Sequence, residues 1–162
     1  MNAQEFRLNL VDEYLKKLKL SREIKEYFLG KNILITGGAG AIGSNLVISL
    51  SRLVGDEGII IVLDNLCAIK CDNPIDLPQL TNVMFIKGDV RSDIFLKRVF
   101  REKPTIVYHL AAFFANQNSV DFPENSAEVD ISGTIKLLDL AQFTKVDRFV
   151  YASSGCSIYG SY

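Results

Sequence analysis

Residues 35–45 read ITGGAGAIGSN and place three glycines, Gly37, Gly40 and Gly43, at intervals of three. An apolar run of strand length precedes this stretch, and an amphipathic helical pattern follows it. Glycine permits a tight turn, and its missing Cβ lets backbone N–H groups approach an anion at the start of a helix. The third glycine allows a helix to pack closely on a strand. The stretch therefore predicts a dinucleotide-binding loop, whose cofactor-binding residues are Gly37, Gly40, Ala41, Ile42 and Gly43.

An acidic residue at the expected distance supports this interpretation. Asp64 follows Gly43 by 21 residues and ends the second apolar run. A carboxylate at that place accepts a hydrogen bond from the ribose 2′-hydroxyl and repels a 2′-phosphate. Residues 65–69, which begin with Asn65, include no arginine that could receive such a phosphate. We therefore expect NAD rather than NADP, with a turn-forming aspartate as the alternative for Asp64.

The order of elements predicts the fold class. Five short apolar runs rich in Ile and Val alternate with helical patterns, as in a parallel sheet covered on both faces. The predicted strands are Ile33–Thr36, Ile59–Leu63, Val83–Ile86, Thr105–Leu110 and Arg148–Ala152. The predicted helices run from Ala41 to Gly55, from Ser92 to Arg101 and from Pro123 to about Phe143. Such alternation indicates an α/β fold, a doubly wound parallel sheet of the Rossmann type.

Residues 1–30 differ from the rest and are predicted to form an N-terminal helical extension to a Rossmann domain at 31–162. Apolar residues recur there at helical spacing among Lys, Arg and Glu, with a break near Ser21. We expect one or two amphipathic helices that pack against the domain or a partner. The mixed charge disfavours a membrane-surface helix.

Composition limits the classes of partner. A net charge of −1 gives no electrostatic case for nucleic acid or an anionic membrane, and no apolar run reaches the roughly 18 residues that span a bilayer. The N-terminus carries Glu5, Asp12 and Glu13 and lacks a continuous apolar core, so it does not resemble a secretory signal. Three cysteines, an odd number, favour a reducing compartment, so we expect a cytoplasmic protein. Cys67 and Cys71 have no histidine nearby, and we expect no metal site.

Six motifs in order, over about residues 31–160, resemble the NAD-dependent sugar-nucleotide epimerase/dehydratase family of extended short-chain dehydrogenase/reductases. The cofactor loop matches ILITGGAGAIGSNL (33–46), and VLDNL (62–66) resembles the second strand and acid of the UDP-glucose 4-epimerases. The other four are FIKGDVRS (85–92), VYHLAA (107–112), ISGTIKLLDLA (131–141) and YASSGCSIYG (151–160).

The resemblance implies further cofactor contacts. Asp89 would meet the adenine amino group, and the backbone amide of Val90 would meet the adenine ring. The end of the fourth strand would lie along the cofactor with Leu110, Ala111 and Ala112. Asp130 stands where the family usually has asparagine. Because an ionised aspartate only accepts hydrogen bonds, the role of Asp130 near the cofactor is left open.

The resemblance also implies a catalytic hydroxyl after the fifth strand. Counted back from Tyr159-Gly160, the family's Ser/Thr position falls on Gly155, so Ser154 is the candidate hydroxyl, with Ser153 behind it. The alternative is that these serines only satisfy backbone groups at a strand end. His109, the single histidine, is expected to be a packed neutral imidazole rather than a catalytic group.

The family's base, a Tyr with a Lys four residues later, is not found beyond the fifth strand of this sequence. Such a phenol, with a reference pKa of about 10, needs a nearby ammonium to lose its proton near neutrality. The only Tyr-x-x-x-Lys is Tyr27…Lys31, which precedes the first strand and is interpreted as coincidence. We therefore expect the chain to correspond to the N-terminal half of an enzyme and to be inactive alone.

The implied activity is epimerisation of a nucleotide-linked hexose by transient oxidation at C4, with a nucleotide sugar as partner and a homo-oligomer as the assembly. Dehydratases of the family carry Asp-Glu after the Thr, whereas this chain has Cys156 and Ser157. The alternatives are a dehydratase or reductase of the same family and a non-catalytic NAD-binding sensor or scaffold. The serine loop argues against a sensor.

Overall fold

The computed structural model describes residues 3–67, 80–114 and 116–153, and within them one sheet of five parallel strands. The strands are β1 (Asn32–Thr36), β2 (Ile59–Asp64), β3 (Val83–Lys87), β4 (Ile106–His109) and β5 (Arg148–Tyr151). Their order across the sheet is β3-β2-β1-β4-β5, and every neighbouring pair is parallel. The predicted doubly wound Rossmann sheet is confirmed, with strand ends within two residues of the predicted ones.

Helices connect the strands. They are α1 (Ala3–Lys17), α2 (Arg22–Phe28), α3 (Ala41–Val54), α4 (Asp93–Phe100), α5 (Asn116–Asp121), α6 (Pro123–Ser126) and α7 (Thr134–Phe143). A π-helical segment, Ala127–Gly133, joins α6 to α7. The single helix predicted from Pro123 to Phe143 is therefore three consecutive segments. The sequence NQNSVD of α5 has no apolar period, so no helix was predicted there.

Both faces of the sheet are covered, which explains why its strands are almost continuously apolar. One face packs on α3, and its buried residues include Ile33, Ile35, Val47, Leu50 and Ile60. The other face packs on α4 and α7, with Leu34, Leu63, Leu96, Val107 and Leu137. Each such side chain stabilises the fold by about 1.5–3 kcal/mol. The two buried layers hold the strand ends rigidly in place.

The N-terminal extension forms two helices that pack outside α3. Ser21 is the N-cap of α2, where its hydroxyl accepts a hydrogen bond from the Ile24 amide. Val11 of α1 is buried, and Asp12 of α1 forms an ion pair with Arg52 of α3 at 3.0 Å. No helix in the described ranges is long and apolar enough to cross a bilayer.

Candidate cofactor site

The strand order reverses between β1 and β4, and the loops that follow these two strands lie at the carboxyl edge of the sheet. In open α/β sheets, ligands bind at this switch point. Thr36 at the end of β1 is paired with His109 at the end of β4. The predicted cofactor-binding residues lie at the carboxyl ends of four strands. Gly37, Gly40, Ala41, Ile42 and Gly43 follow β1, Asp64 and Asn65 lie at the end of β2, Asp89 and Val90 follow β3, and Leu110, Ala111 and Ala112 follow β4. Asp130 lies in the π-helical segment and contacts the loop after β4.

At two positions of the loop, only glycine fits because a Cβ would collide with backbone atoms nearby. Gly37 has φ +71°, and a Cβ on it would lie 2.7 Å from the backbone nitrogen of Ala111. A Cβ on Gly43 would overlap the carbonyl oxygen of Gly37. Only glycine at these places lets the β1 loop contact the β4 loop on one side and the start of α3 on the other. These two residues shape the loop itself.

Gly40 is different, because a Cβ there would meet only the Gly37 carbonyl oxygen, at 3.3 Å. Gly40 is the N-cap of α3 and provides no side-chain cap, and the first turn of α3 has no acidic residue. The first helical amide bond is Ser44 N–H to Gly40 C=O, so the amides of residues 41–43 have no acceptor within the helix. This open, uncapped helix start fits the pyrophosphate of a dinucleotide.

Asp64 holds the glycine loop in addition to any role toward a ribose. One carboxylate oxygen accepts a hydrogen bond from the Ala39 amide at 2.9 Å, and the other accepts one from the Leu66 amide at 2.8 Å. The Leu66 bond is the turn-forming role that the sequence offers as the alternative for Asp64, whereas the hold on the glycine loop through Ala39 is not indicated by the sequence. Since each carboxylate oxygen has a further lone pair, the ribose contact stays a prediction.

Arg91 contacts Asp89, the predicted adenine-binding residue. Arg91 was not predicted from the sequence to be part of the site. Arg91 donates to both carboxylate oxygens of Asp89 at 3.0 Å and to Glu128 at 3.0 Å. Asn65 also donates to Asp89, at 2.9 Å. Partial burial raises the pKa of Asp89, but the hydrogen bonds from Arg91 and Asn65 and the Arg91 charge together outweigh it, and the pKa lies below its ordinary value. Asp89 is therefore ionised and fixed at neutral pH.

The hydrogen bonds of His109 have a defined direction. Thr134 donates to the Asp130 carbonyl, so it accepts from His109 Nε2 at 2.9 Å. Nδ1 of the neutral ring then accepts from Thr36 Oγ1 at 2.6 Å, and Thr36 in turn accepts from the Ala111 amide. Burial, opposed by the charge of Asp130, lowers the pKa of His109 to about 4. His109 is the packed neutral imidazole that the sequence predicted.

Asp130 lies in the π-helical segment and holds the loop after β4. Its carboxylate accepts from the Phe113 amide at 2.7 Å and from the Ser126 hydroxyl at 2.9 Å. Both partners donate, so an acceptor-only side chain suits this place. The residue left open by the sequence thus has a positioning role, because the loop that it holds contains Leu110, Ala111 and Ala112.

The candidate catalytic groups are only partly described. Ser153 is exposed just beyond β5, at the same edge as the glycine loop, and Ser154, Cys156 and Ser157 lie outside the described residues. Lys31 precedes β1 and pairs with Asp147, which precedes β5. Tyr27 and Lys31 therefore lie at the amino edge of the sheet, opposite the candidate site, as expected if their spacing is coincidental.

Known proteins resemble this chain over the same region. A model of the NAD-dependent epimerase/dehydratase family matches residues 33–162. The structure of an epimerase from Methanothermobacter thermautotrophicus superposes with a TM-score of 0.77 at 47% identity, covering 85% of this chain and 39% of that one. A UDP-glucose 4-epimerase from Thermus thermophilus, solved with NAD, gives 0.68 at 36% identity, covering 81% of this chain and 40% of that one.

A dTDP-D-glucose 4,6-dehydratase from Dictyostelium discoideum is 39% identical over 134 residues, which cover 81% of this chain and 30% of that protein. The chain thus spans no more than about two-fifths of the length of these relatives. The matched part is the one that contains the glycine loop, Asp64 and the β4 loop, and the family's cofactor is NAD. The chain belongs to the NAD-dependent epimerase/dehydratase family.

Proposed function

We propose that this chain is the NAD-binding half of a nucleotide-sugar epimerase that acts by transient oxidation at C4 of a nucleotide-linked hexose. The observation that carries the proposal is the uncapped first turn of α3, beside Gly40 and within reach of Asp64, in a chain of this family. NAD, when bound, supplies the acceptor for the hydride that leaves C4. The family resemblance supports the substrate class.

The residues have separate roles in this proposal. Backbone amides of Ala41, Ile42 and Gly43 bind the pyrophosphate, and Asp64 with Asn65 lies at the adenosine ribose. Asp89 and the Val90 amide meet the adenine. Leu110, Ala111 and Ala112 line the path toward the nicotinamide, and Asp130 positions that path through the Phe113 amide. Every role uses a group at the carboxyl edge of the sheet.

The hydroxyl of Ser154, or of Ser153, holds the substrate oxygen in this proposal. A base must take the proton from that oxygen as hydride leaves, and the family resemblance assigns this step to a Tyr-Lys pair. The sequence through Tyr162 has no such pair after β5. The contribution that we propose for these 162 residues is binding and orientation.

Two other functions compete with epimerisation. A dehydratase of the same family would carry Asp-Glu where this chain has Cys156 and Ser157, which favours the epimerase. A non-catalytic NAD sensor or scaffold would need only the NAD-binding half of such an enzyme. The serine-rich loop after β5 favours the enzyme, because a sensor has no need of a hydroxyl at that position.

The glycine loop is tested directly by Gly40→Val. A Cβ at Gly40 would approach one atom closely, the Gly37 carbonyl oxygen at 3.3 Å, so a small shift of the loop should let the variant fold. Its branches would occupy the approach of a pyrophosphate to the first-turn amides. We expect NAD binding, measured by calorimetric titration of the full chain, to be abolished. The matched control is Lys97→Val on the exposed side of α4, which should bind NAD as the unmodified chain does.

Circular dichroism should show the same sheet and helix content in both variants. Unchanged NAD affinity in a folded Gly40→Val variant would refute the proposed cradle.

A further inference from the structure

The N-terminal extension places one arginine against the start of the glycine-loop helix. Arg7 of α1 donates from Nη2 to the hydroxyl of Ser44 at 2.5 Å. Its Nη2 and Nε also donate to Oδ1 of Asn45, at 3.0 and 3.2 Å. Arg7 comes 37 residues before Ser44 in the chain, and it lies ahead of residue 33, where the family match begins. The contact is therefore a feature of this chain's own extension.

The two partners of Arg7 connect it to the backbone of the loop. Ser44 is fully buried and donates to the Gly40 carbonyl at 2.6 Å, so it accepts from Arg7. Asn45 donates from Nδ2 to the Ala41 carbonyl at 2.9 Å. Both side chains lean back toward the start of α3, as helical side chains do. The guanidinium thus lies beside the first turn, one side chain away from Gly40 and Ala41.

The charge of Arg7 would affect the binding of an anion at the start of α3. The start of a helix carries a partial positive charge, so a guanidinium there is unfavourable by itself and favourable once an anion is bound. A dinucleotide pyrophosphate carries two negative charges at that place. Arg7 and the first turn of α3 would then attract the same ligand.

We propose that α1 is part of the cofactor site, with Arg7 as a positioning residue that holds the start of α3 through Ser44 and strengthens binding of the NAD pyrophosphate by its charge. This inference rests on the proposed placement of NAD on the glycine loop. The ligand group that Arg7 would attract is the anionic diphosphate at the start of α3. In this proposal, an extension outside the family-matched residues contributes to binding of the family's cofactor.

A purely structural role for Arg7 would be to attach α1 to α3. The chain already has such a contact, the Asp12–Arg52 ion pair, at the other end of α3. Both contacts join the same two helices, but only Arg7 lies at the glycine loop. Arg52→Gln is therefore a matched control, because it removes a guanidinium from the same interface without changing the charge near Gly40.

The test measures Kd for NAD by calorimetric titration of the full chain at about 0.05 M and about 1 M salt. At low salt, Arg7→Gln should weaken NAD binding about 3- to 10-fold. At 1 M salt, where the Debye length is about 3 Å, this difference should largely disappear. Arg7→Lys keeps the charge and should retain most of the affinity, and Arg52→Gln should bind NAD like the unmodified chain.

Adenosine lacks phosphates, so its binding shows whether Arg7 acts through its charge on the diphosphate or only by attaching α1 to α3. Its weak binding should be equal in the unmodified chain and in Arg7→Gln. Equal NAD affinities, a loss that is the same at both salt concentrations, or an equal loss in Arg52→Gln would each overturn the inference. Circular dichroism checks folding, and Arg7→Lys decides the question if Arg7→Gln does not fold.

The two proposals fail separately. If the unmodified chain does not bind NAD, the proposed function is wrong. If it binds NAD, and Gly40→Val does not, while Arg7→Gln binds as tightly as the unmodified chain at low salt, only the role of Arg7 is wrong.

Discussion

At the scale of single residues, polar side chains at the carboxyl edge of the sheet each hold a piece of loop backbone. Asp64 binds the Ala39 amide, Asp130 binds the Phe113 amide, and the Thr36 hydroxyl accepts from the Ala111 amide. A hydrogen bond to a charged group stabilises by about 1.5–3 kcal/mol. These hydrogen bonds therefore hold the loops at the carboxyl edge in place without a bound ligand.

Cofactor choice is tested at Asp64. Asp64→Ala should weaken NAD binding about 10- to 100-fold, because it removes both the proposed ribose contact and the hold on Ala39. Asp64→Asn keeps an oxygen that can accept from one amide but has no charge to repel a 2′-phosphate. It should therefore narrow the preference for NAD over NADP, measured by titration with each. If the unmodified chain binds NADP as tightly as NAD, the ribose role is wrong.

The buried imidazole of His109 predicts a pH dependence of stability. Its pKa is about 4 in the folded chain and about 6.5 when unfolded, so protonation favours the unfolded state. Its contribution is fully present above pH 6.5 and is lost as the pH falls toward 4. The loss should be about 3 kcal/mol in the free energy of unfolding, measured by urea denaturation.

His109→Gln is the control for this prediction. A glutamine can accept from Thr36 and donate to Thr134 without titrating, as the neutral ring does. His109 is the only histidine, so the difference between the two proteins across pH 5–6.5 isolates its effect. Parallel pH profiles would contradict a neutral buried ring.

At the scale of elements, the π-helical segment between α6 and α7 sets the position of Asp130. One extra residue in a helical turn shifts the side chains that follow, and such segments are frequent at functional sites. Gly133, buried at the end of this segment, lies where a Cβ would be 3.0 Å from the side chain of Val90. The segment therefore brings Asp130 to the β4 loop while its end packs close to the β3 loop.

A pair of substitutions at Asp130 separates the hydrogen bond from the charge. Asp130→Asn keeps an oxygen for the Phe113 amide, and its amide group can donate to a rotated Ser126 hydroxyl, so stability and NAD affinity should change little. Asp130→Leu has a similar shape and no acceptor. It should lower the free energy of unfolding by about 1–3 kcal/mol and weaken NAD binding. Equal behaviour of the two variants would exclude a positioning role for Asp130.

At the scale of the whole molecule, β5 is an edge strand in the described part of the chain. It pairs only with β4 there, Tyr151 is 55% exposed, and Phe149 and Val150 are half-buried. An exposed apolar edge presents unpaired N–H and C=O groups to another chain.

We predict that the 162-residue chain by itself self-associates or is poorly soluble and has no epimerase activity on nucleotide sugars. Val150→Lys, which puts a charge on the edge, should reduce association in light scattering. A stable monomer of the unmodified chain, or measurable turnover, would show the prediction to be wrong.

The sequence by itself determined the sheet, the glycine loop and the place of Asp64. Continuous apolar runs require burial on both faces, and the glycine spacing satisfies a steric demand within a few residues. These are local requirements, so they appear as patterns in the chain. The family resemblance added Asp89 and Asp130, because short motifs in the linear sequence also identify these two positions.

Only the tertiary structure decided how distant segments meet. The Arg7–Ser44 contact joins residues 37 apart, the Arg91–Glu128 pair also joins residues 37 apart, and the His109 ring links Thr36 to Thr134. The π-helical segment likewise meets two distant segments, since Gly133 packs beside Val90 and Asp130 accepts from the Phe113 amide. Such contacts follow from the packing of whole helices on the sheet, and no periodicity in the sequence encodes which side chains that packing brings together.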